Sequence, residues 1–304
     1  MSRKRVVILG AGAIGGAMAA DLLDHADAEV ALIARTRFPE LVVEHPKGVS
    51  RHAVTMLVDP DTEGEVLPAD WLLLATKAHQ SEAARPWFKR LVTLRTRIAV
   101  LQNGIDHVER IAPIAGDAAA VLPVIVQLPA ERLGVGHVRQ QHTGALITRD
   151  DEHGRAFAEL FSGGRTRVLP REDFLSQAWW KLIMNAGSGA VCALVVRDNR
   201  AERDPEIREL ALALMREAAA VGRAEGAELP PDAPEKAMEL ALSGAPGHWT
   251  SIAVDRREGR PMEWQARNAV IGRLGRKHGI PTPLSDMVTA LLRVADVTWE
   301  PPEG

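Results

Sequence analysis

The sequence predicts an α/β protein: a doubly wound parallel sheet in the first half, followed by an all-helical second half. Three observations carry that expectation. Short apolar runs alternate with helical stretches up to about residue 170. The first apolar run opens directly onto the glycine loop Gly10-Ala11-Gly12-Ala13-Ile14-Gly15. Beyond Pro170, apolar residues recur at helical spacing only.

Residues 6–9 are strand formers that end at Gly10, and residues 13–23 read as a helix. The loop between them carries the G-x-G-x-x-G spacing. Its first glycine permits a tight turn, its second a close approach to a pyrophosphate, and its third close packing of helix on strand. The helix start offers unpaired N–H groups and positive partial charge to phosphates. A Rossmann-type dinucleotide site is expected, with Gly10, Ala11, Gly12, Ala13, Ile14 and Gly15 as cofactor-binding residues.

Residues 30–34 form a second strand. Residues 71–76, Trp-Leu-Leu-Leu-Ala-Thr, are continuously apolar, as in a strand buried on both faces. Residues 97–101 and 119–126 read the same way, and Pro123 puts the latter near an edge or at a bulge. Residues 81–91 are helical. Residues 135–139 and 145–148 are expected to form a hairpin closing the sheet, and 151–161 the last helix of this domain.

The second half reads as helices over 172–194, 205–225, 235–242, 250–258, 263–278 and 283–295, with a break at Leu229-Pro230-Pro231-Asp232-Ala233-Pro234. The tail 300–304 is expected to fray. The expected domains are a nucleotide-binding domain over 1–170 and a helical substrate domain over 171–304. Such a pair places substrate in the cleft between them.

The chain has 304 residues, 46% hydrophobic and 25% charged, with a net charge of -3. That balance gives no electrostatic case for nucleic acid or an anionic membrane as a partner. The one cysteine, Cys192, excludes an intramolecular disulfide and a cysteine-based metal site, and its apolar neighbours make it a buried thiol. The histidines show no metal-ligand spacing. The basic start Met1-Ser2-Arg3-Lys4-Arg5 meets a strand too soon for a signal peptide, and no apolar run approaches membrane-spanning length. The expected location is the cytoplasm.

An NAD-type site usually offers an acid at the end of the second strand. Here that end reads Ile33-Ala34-Arg35-Thr36-Arg37. Arg35 stands where a guanidinium pairs with a 2′-phosphate, Thr36 adds a hydroxyl and Arg37 a second charge. The alternative is a solvated basic loop. The missing acid and the present arginine agree on NADP(H).

Further polar clusters follow apolar runs. Thr76-Lys77-Ala78-His79-Gln80 and Leu101-Gln102-Asn103-Gly104 lie at the carboxyl ends of parallel strands, where open α/β sheets bind ligands. Alone, Lys77 reads as a surface lysine and Asn103-Gly104 as a turn; on adjacent strands they read as a cleft wall. In Trp179-Trp180-Lys181-Leu182-Ile183-Met184-Asn185, Lys181 and Asn185 share one helix face. Apolar neighbours ease deprotonation of Lys181, which suits a proton donor. The alternative is a lysine whose ammonium reaches water. Late in the chain stand Trp249-Thr250-Ser251-Ile252 and Gly259-Arg260-Pro261-Met262-Glu263, where Glu263 alone reads as a first-turn acid.

In order and spacing, these motifs resemble the ketopantoate reductase (2-dehydropantoate 2-reductase) family over essentially the whole chain. The resemblance implies that NADPH delivers hydride to the C2 ketone of a 2-keto acid, by default ketopantoate, giving pantoate for pantothenate and coenzyme A. It implies that Lys181 protonates the developing alkoxide and that Asn103 orients nicotinamide and substrate. Ser251 would bind the carboxylate. Asn185 and Glu263 would hold the distal hydroxyl, with Glu263 influencing the charge on Lys181. Lys77 would line the cofactor side.

Two positions depart from the family pattern. Gly189 stands where a second asparagine is common, and Gln265 where an aspartate is common. Gly187 and Gly189 each weaken a helix by roughly 1 kcal/mol relative to alanine. Trp249 and Trp264 read first as core; facing the cleft, they would favour a flatter or more apolar substrate. The open alternatives are a family member with another 2-keto acid, a dehydrogenase of a 3-hydroxy acid or an opine, and a non-catalytic NADP(H) sensor. A homodimer is a candidate assembly, with no decisive apolar seam in the sequence.

Overall fold

The computed structural model of the chain describes residues 3–116 and 120–301. Ala119, which opens the strand expected over 119–126, and tail residues 302–304 lie outside the described residues. The chain divides into two units, Met1–Phe174 and Leu175–Gly304.

Unit 1 carries strands β1 (Lys4–Leu9), β2 (Ala28–Ile33), β3 (Leu41–His45), β4 (Gly48–His52), β5 (Thr55–Leu57), β6 (Trp71–Leu74), β7 (Arg97–Val100), β8 (Ala120–Pro123), β9 (Ile125–Gln127), β10 (Ala130–Gly134), β11 (His137–Gln140), β12 (Ala145–Arg149) and β13 (Arg167–Arg171). Between them lie helices α1 (Ala13–His25), α2 (Arg85–Leu91), α3 (His107–Ala115) and α4 (Glu152–Leu160). The main sheet is parallel, in the order β5-β2-β1-β6-β7-β8. It runs one way from β1 and the other way from β6, so the topological switch point falls between those strands. Leu9 is in register with both Ile33 and Leu74, so β1, β2 and β6 end level and bring their following loops together.

Alternation along the strands feeds two cores. Val6, Ile8, Trp71 and Leu73 pack with Met18 of α1 and Phe157 of α4. Val7, Leu9, Leu72 and Leu74 face the other way, with Trp87 and Phe88 of α2 and Ile111 of α3. A strand covered on both faces has no polar side, which is why these runs are continuously apolar. Helix α1 is buried from Gly15 through Leu22, because the small sheet β10-β11-β3-β4 contributes Val43 and Val138 to the same core. Asp21, buried within α1, accepts hydrogen bonds from the backbone N–H groups of Arg165 and Thr166, each at 2.7 Å.

Three expectations are corrected. The hairpin of 135–139 with 145–148 does not form. Instead β11 pairs antiparallel with β10 and parallel with β3, while β12 pairs parallel with β13 and antiparallel with β9. The reason is Gly136, whose φ of 70° closes a two-residue turn directly before β11. The described part of the run 119–126 splits into β8 and β9. Pro123, which lacks an N–H, ends β8 on the sheet edge opposite Val100. Residues 81–91 form a 3-10 turn, Glu82–Ala84, before α2 begins.

Helix α5 (Phe174–Met184) leads into unit 2, which continues with α6 (Ala190–Val195), α7 (Pro205–Ala224), α8 (Ala233–Ser243), α9 (Ser251–Arg257), α10 (Val270–His278) and α11 (Pro283–Ala295). Among its described residues there is no strand. The helices expected over 172–194 and 263–278 each contain a π-helical segment, Asn185–Gly189 and Gln265–Ala269. Gly187 in the first segment is required by a close approach of α7: a Cβ there would meet Met215 Cγ at 2.5 Å and the Ala211 carbonyl oxygen at 2.7 Å. The segments are also tied to each other, because Asn268 Nδ2 donates to the Ala186 carbonyl at 3.1 Å. No helix among the described residues is long and apolar enough to cross a membrane.

Candidate active site

The switch point of unit 1 carries the predicted cofactor residues. Gly10 has a φ of 110°, and its N–H donates to the Ile33 carbonyl at 3.0 Å. Helix α1 begins after Gly12 with no side-chain cap and no acid in its first turn. Nothing lies within 4 Å of the place a Gly12 Cβ would take. Uncapped N–H groups beside open space, unopposed by a carboxylate, fit a pyrophosphate. Arg35 is exposed just beyond β2. Arg37 is committed elsewhere: its guanidinium donates to the Met56 carbonyl at 2.8 Å and to Glu63 at 2.6 Å. The second charge assigned to the cofactor is therefore spent on bracing the loops after β2 and β5.

The motifs around Lys77 and Asn103 are held by glutamines. Gln80 Oε1 accepts from the Lys77 N–H at 3.2 Å. Gln102 is buried, and its Nε2 donates to Ser81 Oγ at 3.0 Å while Oε1 accepts from Arg110 Nη1 at 2.9 Å. Arg110 Nη2 also donates to the Asn103 carbonyl at 3.1 Å. Gln102 thus links the loops after β6 and β7, and the half-buried Lys77 and Asn103 sit on that brace. Sequence reading had placed both residues at strand ends but had given the glutamines no role.

Unit 2 gathers Lys181, Ser251 and Glu263 around a residue that the sequence reading missed, Arg267. Burial pushes the Lys181 ammonium down to about 8; the Arg267 guanidinium acts in the same direction, and the Glu263 carboxylate opposes both. Lys181 is half-buried, so its side chain is partly withdrawn from water. Glu263 is buried and lies before the helical turn rather than inside it. Ser251 is exposed at the start of α9, and its Oγ accepts from Arg267 Nη2 at 2.7 Å. Asn185 opens the first π segment and is half-buried.

Arg267 is only 2% exposed. One sequence signal could have found it. It precedes Ile271 by four residues and Leu274 by seven, the spacing of a buried helix face, and both of those residues are buried. Trp249 and Trp264 are half-buried rather than core, and Arg257 stacks 4.3 Å over the Trp249 ring. Cys192 is fully buried, and its thiol is pushed up to about 12 by burial first and then by Glu202 and Asp198, which leaves it inert.

Comparison with known proteins places both halves of the chain. The family described as ketopantoate reductase PanE/ApbA matches residues 6–150, and its C-terminal counterpart matches residues 173–296. A 2-dehydropantoate 2-reductase of Caulobacter vibrioides is 39% identical over 292 residues, covering 95% of this chain and 98% of the relative. One from Mycobacterium tuberculosis is 37% identical, with 95% and 97% covered. Among solved structures, a PanE/ApbA family ketopantoate reductase from Ralstonia eutropha superposes with a TM-score of 0.86 at 28% identity, covering 96% of this chain and 98% of that one. A D-mandelate dehydrogenase shares the fold, with a TM-score of 0.85 at 22% identity and 96% and 97% covered. With both halves matched and near-complete coverage at 39% identity, the chain belongs to the ketopantoate reductase family.

Proposed function

We propose that this protein reduces a 2-keto acid with NADPH, and that its reaction is ketopantoate to pantoate. The observation that carries the proposal is Lys181, a half-buried lysine with its pKa brought to about 8 beside Arg267 and Glu263, in a chain of this family. At neutral pH such a lysine is mostly protonated yet releases its proton more readily than an ordinary one, as a general acid should. NADPH, when bound, supplies the hydride that reaches C2. Lys181 Nζ gives its proton to the C2 oxygen, whose developing negative charge the ammonium also stabilises. Ser251 receives the carboxylate, Asn185 and Glu263 the distal hydroxyl, and Asn103 orients ketone and nicotinamide.

On this reading residues 1–170 bind NADPH, through Gly10, Ala11, Gly12, Ala13, Ile14, Gly15, Arg35, Lys77 and Asn103, and residues 171–304 bind the keto acid. The protein works as a homodimer in the cytoplasm. A structural relative is a dimeric ketopantoate reductase from Staphylococcus aureus, which supports that assembly.

Gly189 favours a second reading, the same chemistry on another 2-keto acid, because it removes an amide that would hold the distal hydroxyl. Steady-state NADPH oxidation with ketopantoate against a panel of 2-keto acids separates the two. Preference for ketopantoate supports the first; preference for another keto acid overturns it.

A further inference from the structure

The π segment Asn185–Gly189 and the residue facing it carry a feature that the reaction as described does not use. Arg267 is buried, and its Nε and Nη1 have no hydrogen-bond partner among the described residues. An arginine cannot shed its charge to ease such a burial. Among the described residues its one hydrogen bond goes to Ser251 Oγ, at 2.7 Å, and Ser251 is exposed. The bond has a chemical consequence. A hydroxyl whose oxygen already accepts from a guanidinium keeps its own proton for another acceptor, and it does so with a cation behind it whose charge the Glu263 and Asp255 carboxylates partly offset.

The same guanidinium occupies the room that a side chain at position 189 would need. A Cβ on Gly189 would stand 3.5 Å from Arg267 Nη1 and 3.5 Å from Ile252 Cγ2. A methyl fits at that distance, whereas longer side chains must share the space with the guanidinium. Gly189 and Arg267 are thus a matched pair: the glycine vacates space that the cation fills.

We propose that Arg267 is a positioning residue that turns Ser251 into a charge-backed carboxylate site, so that this protein selects 2-keto acids over their neutral derivatives through a buried cation. The inference rests on the reductase reading given above. Arg267 does not touch the substrate. It fixes the hydroxyl that does, and its charge stands directly behind that hydroxyl.

The test is steady-state kinetics of the full chain with ketopantoate and with its neutral amide, for the wild type, R267Q, R267K and S251A. In R267Q the KM for the acid rises by roughly 10- to 100-fold, the range of a charge-assisted hydrogen bond. The amide is affected far less, and kcat for the acid stays within a few-fold. R267K, which keeps the charge, recovers part of the loss. S251A, at an exposed position, loses discrimination between acid and amide even if R267Q fails to fold. Equal losses for acid and amide in R267Q, no recovery in R267K, or undiminished discrimination in S251A would overturn the proposal. If the wild type binds NADPH yet turns over neither ketopantoate nor any other 2-keto acid, the reductase reading itself falls, and the inference with it.

Discussion

A Cβ on Gly10 would stand 2.8 Å from the backbone nitrogen of Thr76, so the loops after β1 and β6 meet with no room for a side chain between them. Gly10 also has a φ of 110°, which an L side chain rarely adopts. Gly10→Ala is therefore expected to cost about 1–3 kcal/mol of stability and to weaken NADPH binding, because the loop carrying Lys77 is displaced. Urea denaturation and a fluorescence titration with NADPH read the two effects. An unchanged midpoint would contradict the steric argument.

Arg35 and Arg37 are two residues apart and are predicted to behave differently. Arg35→Gln removes the exposed guanidinium assigned to the 2′-phosphate. The preference for NADPH over NADH should fall by roughly 10- to 100-fold, as for loss of a charge-assisted pair. Arg37→Ala breaks the ties to Met56 and Glu63, so it should lower thermal stability while leaving cofactor preference nearly intact. Equal loss of preference in both variants would remove the special role of Arg35.

The pH profile follows from Lys181. Its pKa lies at about 8 against an ordinary 10.5, and the protonated form is the donor. Activity should be present below about 8 and fall as pH rises through that value, rather than persisting toward 10.5. Glu263 holds the value up and Arg267 holds it down. The alkaline limb should move to lower pH in Glu263→Gln and to higher pH in Arg267→Gln. Profiles of kcat/KM for the three proteins check these opposite signs, and parallel shifts would refute the assignment.

Two glycines of one π segment should respond differently to the same change. Gly187→Ala drives a methyl to 2.5 Å from Met215 Cγ, an overpacking expected to cost about 1–3 kcal/mol. Gly189→Ala places its methyl at ordinary contact distance. It should be neutral or gain up to about 1 kcal/mol from reduced backbone freedom. Denaturation midpoints of the two variants measure the contrast.

Much of this architecture was legible in the sequence where one physical cause dominated. The run Trp71–Leu74 read as a doubly buried strand because both of its faces feed cores. The Gly10 loop read as a turn into a helix because its spacing has few other uses. The hairpin of β3 and β4 did not announce itself. Its mixed residues, Leu-Val-Val-Glu-His and Gly-Val-Ser-Arg-His, lie in a sheet packed on one side only of α1. The π segments were invisible, since one extra residue per turn leaves the apolar pattern almost unchanged. Of the candidate site, Lys181 was singled out by its helix face, and Ser251 and Glu263 by the family resemblance. Arg267 was not, because charge normally marks a solvated position; only its spacing to Ile271 and Leu274 betrayed its burial.

The most direct measurement is NADPH oxidation in the presence of ketopantoate by the wild type and by Lys181→Ala, with NADPH binding measured for both. The account predicts robust wild-type turnover, a loss of roughly 10²- to 10⁴-fold in kcat for the variant, and unchanged cofactor affinity. A variant that turns over ketopantoate as fast as the wild type would contradict the claim that Lys181 is the proton donor.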